Sequence, residues 1–75
     1  MARERARFSV YGRDLEVRRE DNAWRAFDIG NEGKMRPAQD VRIPPEVETE
    51  DLATYLGDLL HELASERYPG VKSLD

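Results

Sequence analysis

FSVYGRDLEVR, residues 8–18, alternates apolar and polar side chains on both sides of a single glycine. Such alternation is typical of β-strands with one buried face, and glycine accepts the positive φ of a tight turn. With Gly12 and Arg13 in the loop, all four apolar residues fall on one face. The apolar pairs are then Val10 with Leu15 and Phe8 with Val17. The stretch predicts a hairpin with strands over about 6–11 and 14–19.

The opposite face of this hairpin, which we call the outer face, is polar. It carries Arg7, Ser9, Tyr11, Asp14, Glu16 and Arg18. A third strand is predicted over about 24–29, where Trp24 and Phe27 are three residues apart and point to opposite faces unless a bulge intervenes. A three-residue loop aligns Phe27 with Val17 and leaves Trp24 on the outer face near Tyr11. The sequence therefore predicts an aromatic side chain there that its own sheet does not cover.

The second half of the chain is dominated by one amphipathic helix. A short fourth strand is expected at 34–36 or 41–43, and the proline pair at 44–45 ends any strand. The helix is predicted over about 50–67, with leucines at positions 52, 56, 59 and 63 on one face and Pro69-Gly70 after its end. Val71 and Leu74 are expected to form a tail over residual apolar surface, near Trp24. The predicted fold class is α+β, an antiparallel three- or four-stranded sheet (β-β-β-(β)-α) with the C-terminal helix on one face.

Composition limits the classes of function. The 75 residues predict a single domain over 1–75, with a thin core at this size. The chain has no cysteine, and neither a secretory leader nor a membrane span is recognised, so we expect a soluble cytoplasmic protein. Residues 1–36 hold nine Lys/Arg and seven Asp/Glu, whereas residues 37–75 hold three and nine. This asymmetry could orient the chain toward a charged partner, but a solvated acidic helix needs no partner, and the sequence favours that simpler interpretation. Strong nonspecific binding to nucleic acid is not expected.

Asp58, His61 and Glu62 form the most chemically suggestive cluster. In a helix they share one face, where they could bind a divalent metal or let Asp58 orient His61 as a base. A metal site would need further ligands from outside the helix, and a histidine flanked by charges is more often a solvated helix residue. No enzyme activity and no cofactor are therefore predicted.

Several short motifs together resemble a family of small bacterial proteins of unknown function. They are Phe8-Ser9-Val10-Tyr11-Gly12-Arg13, Trp24 with Phe27, Gly33-Lys34-Met35-Arg36, Ile43-Pro44 and the run from Tyr55 to Glu62. The resemblance covers about residues 8–66 and implies strands followed by one helix, with no activity, cofactor or partner to transfer. The order of elements and the acidity are also similar to those of HicB-type antitoxins, although their glycine-rich segment after the third strand is missing.

The sequence favours a small protein-interaction module. The outer sheet face is the expected contact surface, in a homodimer or with a protein partner, and its expected residues are Tyr11, Arg18, Trp24 and Arg25. The alternative is a nucleic-acid-binding or antitoxin-like regulatory protein, and a metal-binding or enzymatic site at Asp58, His61 and Glu62 comes third. Membrane association is not expected.

Overall fold

The computed structural model of the chain describes residues 4–67 and 69–74, which form an α+β fold. Five strands make one antiparallel sheet in the order β4-β3-β2-β1-β5. The strands are β1 (Arg5–Val10), β2 (Arg13–Glu20), β3 (Ala23–Ile29), β4 (Met35–Pro37) and β5 (Val71–Ser73), and the helix α1 spans Leu52–Leu59. Three single 3₁₀ turns accompany them, at Asn31–Gly33, Thr49–Asp51 and His61–Leu63. The sheet thus has more strands than the three or four that the sequence predicted.

The first hairpin forms with the predicted buried face but with a different register. Phe8 lies opposite Leu15, and Val10 lies opposite Arg13, so the predicted pairing is wrong by two residues. The loop is Tyr11 and Gly12, both with positive φ, as the right-handed twist of a two-residue hairpin requires. The register is stabilised at both ends of this loop. In the loop, the Tyr11 hydroxyl donates to the Gly57 carbonyl at 3.0 Å. Directly after the loop, Arg13 is the first residue of β2.

The second hairpin determines which aromatic residue is buried. Asp21 and Asn22 both have positive φ and form a two-residue loop, not the predicted three-residue loop. The change of loop length by one residue reverses the face of every β3 side chain. Trp24 therefore lies in the core at 8% exposure and Phe27 lies on the outer face, so the predicted placement of Trp24 is wrong.

The core lies between the inner face of the sheet, α1 and the segment 38–48. Leu15, Leu52 and Leu56 are completely buried there, which confirms the amphipathic pattern at the start of the helix. The other buried apolar side chains are Phe8, Val10, Val17, Trp24, Ala26, Ala38, Val41 and Ile43. At about 25 cal/mol per Å² of apolar surface, burial in this layer supplies most of the stabilisation.

The helix is much shorter than predicted because the chain must return to the sheet. α1 ends at Leu59, and Leu60 leaves the helical region at φ −108° and ψ 18°. Eight further helical residues would carry the chain about 12 Å beyond that point. Instead it turns back, so that β5 pairs antiparallel with β1 and extends the sheet. The predicted tail over Trp24 is thus an edge strand on the far side of the sheet, and Leu59 and Leu63 remain 40% and 45% exposed.

The segment 38–48 covers the inner face without forming a strand, so of the two predicted positions for a fourth strand only the first is occupied, by β4. Arg13 fixes one end of the segment, donating two hydrogen bonds to Asp28 at 2.7 and 2.9 Å and two to Asp40 at 2.8 and 2.9 Å. These bonds raise the pKa of Arg13 and lower that of Asp40. The indole N–H of Trp24 fixes the other end by donating to the Val47 carbonyl at 2.8 Å.

Within the part of the chain that is described, no helix has the length and apolarity needed to cross a membrane.

Candidate interaction surface

The outer face of the sheet holds none of the buried apolar side chains of the described residues. Strand pairing assigns to it the residues Arg5, Arg7, Ser9, Asp14, Glu16, Arg18, Glu20, Ala23, Arg25, Phe27, Ile29, Met35, Pro37 and Lys72. Five of these are basic and three are acidic. The face is therefore polar and mildly cationic, with a few apolar side chains at the β3–β4 side.

Glu16 is the central residue of this face and is fully buried, at 0% exposure. Arg7 Nε donates to Glu16 Oε1 at 2.8 Å, and Arg18 Nε donates to Glu16 Oε2 at 2.5 Å. The two arginine side chains are themselves 43% and 34% exposed, so the carboxylate lies beneath a single layer of side chains. Each carboxylate oxygen thus holds one guanidinium group in a defined position at the surface.

The electrostatics of Glu16 follow from this enclosure. Burial raises the pKa of the Glu16 carboxyl, but the hydrogen bonds and charges of Arg7 and Arg18 outweigh it and leave the pKa below its ordinary value. The group is therefore an anion at neutral pH and forms ion pairs with both arginines.

Arg18 is held by two further contacts besides Glu16. Its guanidinium carbon lies 4.8 Å from the centre of the Phe27 ring, and Nη2 donates to the Met35 sulfur at 3.4 Å. The arginine therefore bridges β2, β3 and β4 and covers apolar surface with its planar group. A partner that meets this surface finds an ordered guanidinium group beside an aromatic ring and a thioether.

Two of the residues predicted for the outer face lie elsewhere. Tyr11 is in the first hairpin loop, bonded to the helix through its hydroxyl. Trp24 is on the inner face, where the guanidinium group of Arg19 stacks 4.4 Å from its ring centre. Both side chains stabilise the fold, and neither is presented at the predicted surface.

The other two predicted residues do lie on the outer face. Arg18 lies next to Glu16 on this face, and Arg25 lies opposite Arg18 on β3 with a side chain that is 61% exposed. Arg25 forms an ion pair with Glu20 at 3.6 Å. The structure thus brings together half of the predicted set.

The cluster of Asp58, His61 and Glu62 is not arranged as a helical face would arrange it. The helix ends before His61, whose Nδ1 lies 2.9 Å from the backbone carbonyl oxygen of Asp58. All three residues are exposed, and no group of three or more His, Cys, Asp or Glu side chains within residues 4–67 and 69–74 could hold a metal ion.

Sequence reasoning missed Arg5, Phe27 and Met35 as surface residues. Arg5 lies directly opposite Arg18, and Phe27 directly opposite Glu16. The missing signal was the loop length of the two hairpins. An Asp-Asn pair between alternating strands is typical of a two-residue turn, and that choice alone would have placed Phe27 outside.

Comparison with protein families identifies a match over nearly the whole chain. Residues 5–75 match the family described as domain of unknown function DUF7661, and this range includes every strand and the helix. The chain belongs to the DUF7661 family. This membership confirms the expectation of a family without an assigned function. Comparisons of this DUF7661 chain with curated proteins and with solved structures gave no match.

Proposed function

We propose that the DUF7661 domain is a protein-binding module and that the outer face of its sheet is the binding surface. The observation that carries the proposal is the fixed guanidinium group of Arg18, held between Glu16, Phe27 and Met35 on the face opposite the helix. Arginine and aromatic side chains are the most frequent energetic centres of protein interfaces. Because its contacts already restrict Arg18, binding here loses little side-chain entropy.

A nucleic-acid role has less support. The chain carries a net charge of −4, and two carboxylates of the face, Glu16 and Glu20, lie beside its arginines. A single-stranded nucleic acid is usually bound by several stacking aromatic residues, whereas Phe27 is the one ring that the described part of this face offers. The lack of cysteine suits a reducing compartment, and we place the proposed partner in the cytoplasm.

Site-specific photo-cross-linking in the native host tests the proposal. A photoreactive amino acid replaces Arg25 on the outer face or Arg42 on the segment 38–48, both of which are exposed. We expect a partner protein, identified by mass spectrometry, to be captured from position 25 and not from position 42. Adding Phe27→Ala to the chain with the photoreactive group at position 25 should reduce the yield of the captured partner.

Equal capture from both positions, or a yield that Phe27→Ala leaves unchanged, would contradict the proposal. Capture of a second copy of the chain from position 25, together with a dimeric solution mass, would replace the partner protein by a homodimer.

A further inference from the structure

Three arginines form a row across the outer face. Arg5 of β1 lies directly opposite Arg18 of β2, and Arg18 lies directly opposite Arg25 of β3. Opposed residues on one face of an antiparallel sheet have Cβ atoms about 5 Å apart. We call Arg5, Arg18 and Arg25 the arginine row. It runs perpendicular to the strands and covers two strand spacings, or about 10 Å.

The carboxylates of the domain neutralise this row only in part. Glu16 is buried and shared between Arg7 and Arg18, and Glu20 forms a long ion pair with Arg25. Within the described residues, Arg5 is exposed and forms no ion pair. The accessible charge of the row is therefore positive, although the chain as a whole is negative.

We infer that the partner presents an acidic, extended segment that crosses the strands along the arginine row. This inference rests on the proposed function and specifies its partner. An extended segment advances about 3.3 Å per residue, so three or four residues match the row and place two carboxylates at its ends. Charge complementarity favours this occupant over a second outer face, which would bring one arginine row against another.

Each arginine contributes in a different way. Arg18 is the fixed centre, because Glu16 and Phe27 restrict its guanidinium group. Arg5 and Arg25 are exposed and adapt to the acidic groups on either side. Each exposed charge pair contributes only a small part of the affinity, so affinity depends on both ends of the row together.

Fluorescence anisotropy with three labelled probes tests the inference on the full chain. The probes are hexaglutamate, hexaglutamine and a hexamer of deoxythymidine. We expect hexaglutamate to bind at low salt, and hexaglutamine not to bind. Arg5→Gln and Arg25→Gln should each weaken hexaglutamate binding about two- to fivefold, and the double variant about tenfold.

Arg42→Gln is the matched control, since it removes the same charge from an exposed residue of the segment 38–48. It should leave the affinity unchanged. Arg18 is retained in all variants because its removal would expose Glu16, and circular dichroism verifies that each variant is folded. Hexaglutamate affinity that is equal in all variants would overturn the inference, as would row-dependent binding of the deoxythymidine hexamer alone.

The cross-linking experiment separates this inference from the proposed function. When the photoreactive group is placed at position 27 in the chain with Arg5→Gln and Arg25→Gln, we expect capture of the partner to fall. Unchanged capture would overturn the acidic segment and leave the outer face as a binding surface. If the chain with the photoreactive group at position 27 captures no partner even when Arg5 and Arg25 are retained, both the acidic segment and the proposed binding surface would be overturned.

Discussion

Arg5→Glu should stabilise the folded domain, even though it changes one exposed residue at the start of a strand. Arg5 and Arg18 are directly opposed, and like charges in this position destabilise a sheet by about 0.2–1 kcal/mol. The substitution converts repulsion into attraction. The pairing also persists past Arg5, since the Arg19 amide donates to the Glu4 carbonyl at 2.9 Å.

The expected gain is smaller than the sum of both effects. Glu16 already binds Arg18 at 2.5 Å and would repel a second carboxylate nearby. We therefore expect the free energy of unfolding to rise by about 0.5–1 kcal/mol. For a domain of this length, that gain corresponds to an increase of about 2–8 °C in Tm.

Urea unfolding at low and high salt measures the effect. Trp24 is the single tryptophan and is buried, so its fluorescence reports the loss of the core. At about 1 M salt the Debye length falls to about 3 Å, and most of the gain should disappear. Arg42→Glu is the control, because it changes the net charge equally without an opposed arginine, and it should not stabilise the domain. A less stable Arg5→Glu variant, or a gain that survives high salt, would refute the proposed charge geometry.

Four further outcomes follow from the described contacts. Glu16 has a lower pKa in the folded state than in the unfolded state, so the free energy of unfolding should fall as the pH drops below about 4.5. Glu16→Gln should reduce this pH dependence, as measured by urea unfolding at several pH values. Asp40→Asn weakens the bidentate contact with Arg13 and should lower the unfolding free energy by about 1 kcal/mol, discounted for the 62% exposure of Asp40. Trp24→Ala should lower the free energy of unfolding by about 3–5 kcal/mol, so that much of the variant protein is unfolded. Thermal unfolding followed by circular dichroism measures this loss. Titration with zinc or manganese should leave the NMR resonances of His61 unshifted, and a specific shift would restore the metal hypothesis.

The alternating pattern of the first hairpin was enough to predict which side chains face the core. Leu15 and Val17 are buried as expected. It was not enough to predict the register, because shifting a hairpin by two residues keeps every side chain on its face. Tertiary contacts decided between the two registers. Tyr11 bonds the helix from the loop, and Arg13 bonds Asp28 and Asp40 from the strand.

The reversal of Trp24 and Phe27 had a different cause. The spacing of the two rings showed correctly that one of them must lie outside, but the choice depended on a loop one residue shorter than predicted. Burial of Trp24 is favoured by its larger apolar surface and by the Val47 carbonyl, which accepts its N–H. That carbonyl lies in an irregular segment whose path no periodic pattern specifies.

The spacing of the leucines also failed to predict where the helix ends. Leucines at 59 and 63 continue the helical spacing, and no glycine or proline lies between Leu59 and Pro69. The helix stops because β5 pairs with β1, which is a long-range constraint. The local leucine spacing favours a longer helix, whereas the pairing of β5 with β1 at the edge of the sheet requires the chain to turn back.

The arginine row is the strongest reason to seek function on the outer face. Cross-strand pairs in a sheet usually join unlike charges or apolar groups, whereas here two successive strand boundaries each oppose arginine to arginine. A small domain has little stability to spare, and Arg5 receives no ion pair from the described residues to offset the repulsion. Places where a sequence departs from the local rules without an internal compensation are typical of binding sites. The acidic partner that we propose would supply the missing counter-charge, so a substitution that stabilises the free domain at Arg5 should weaken the complex.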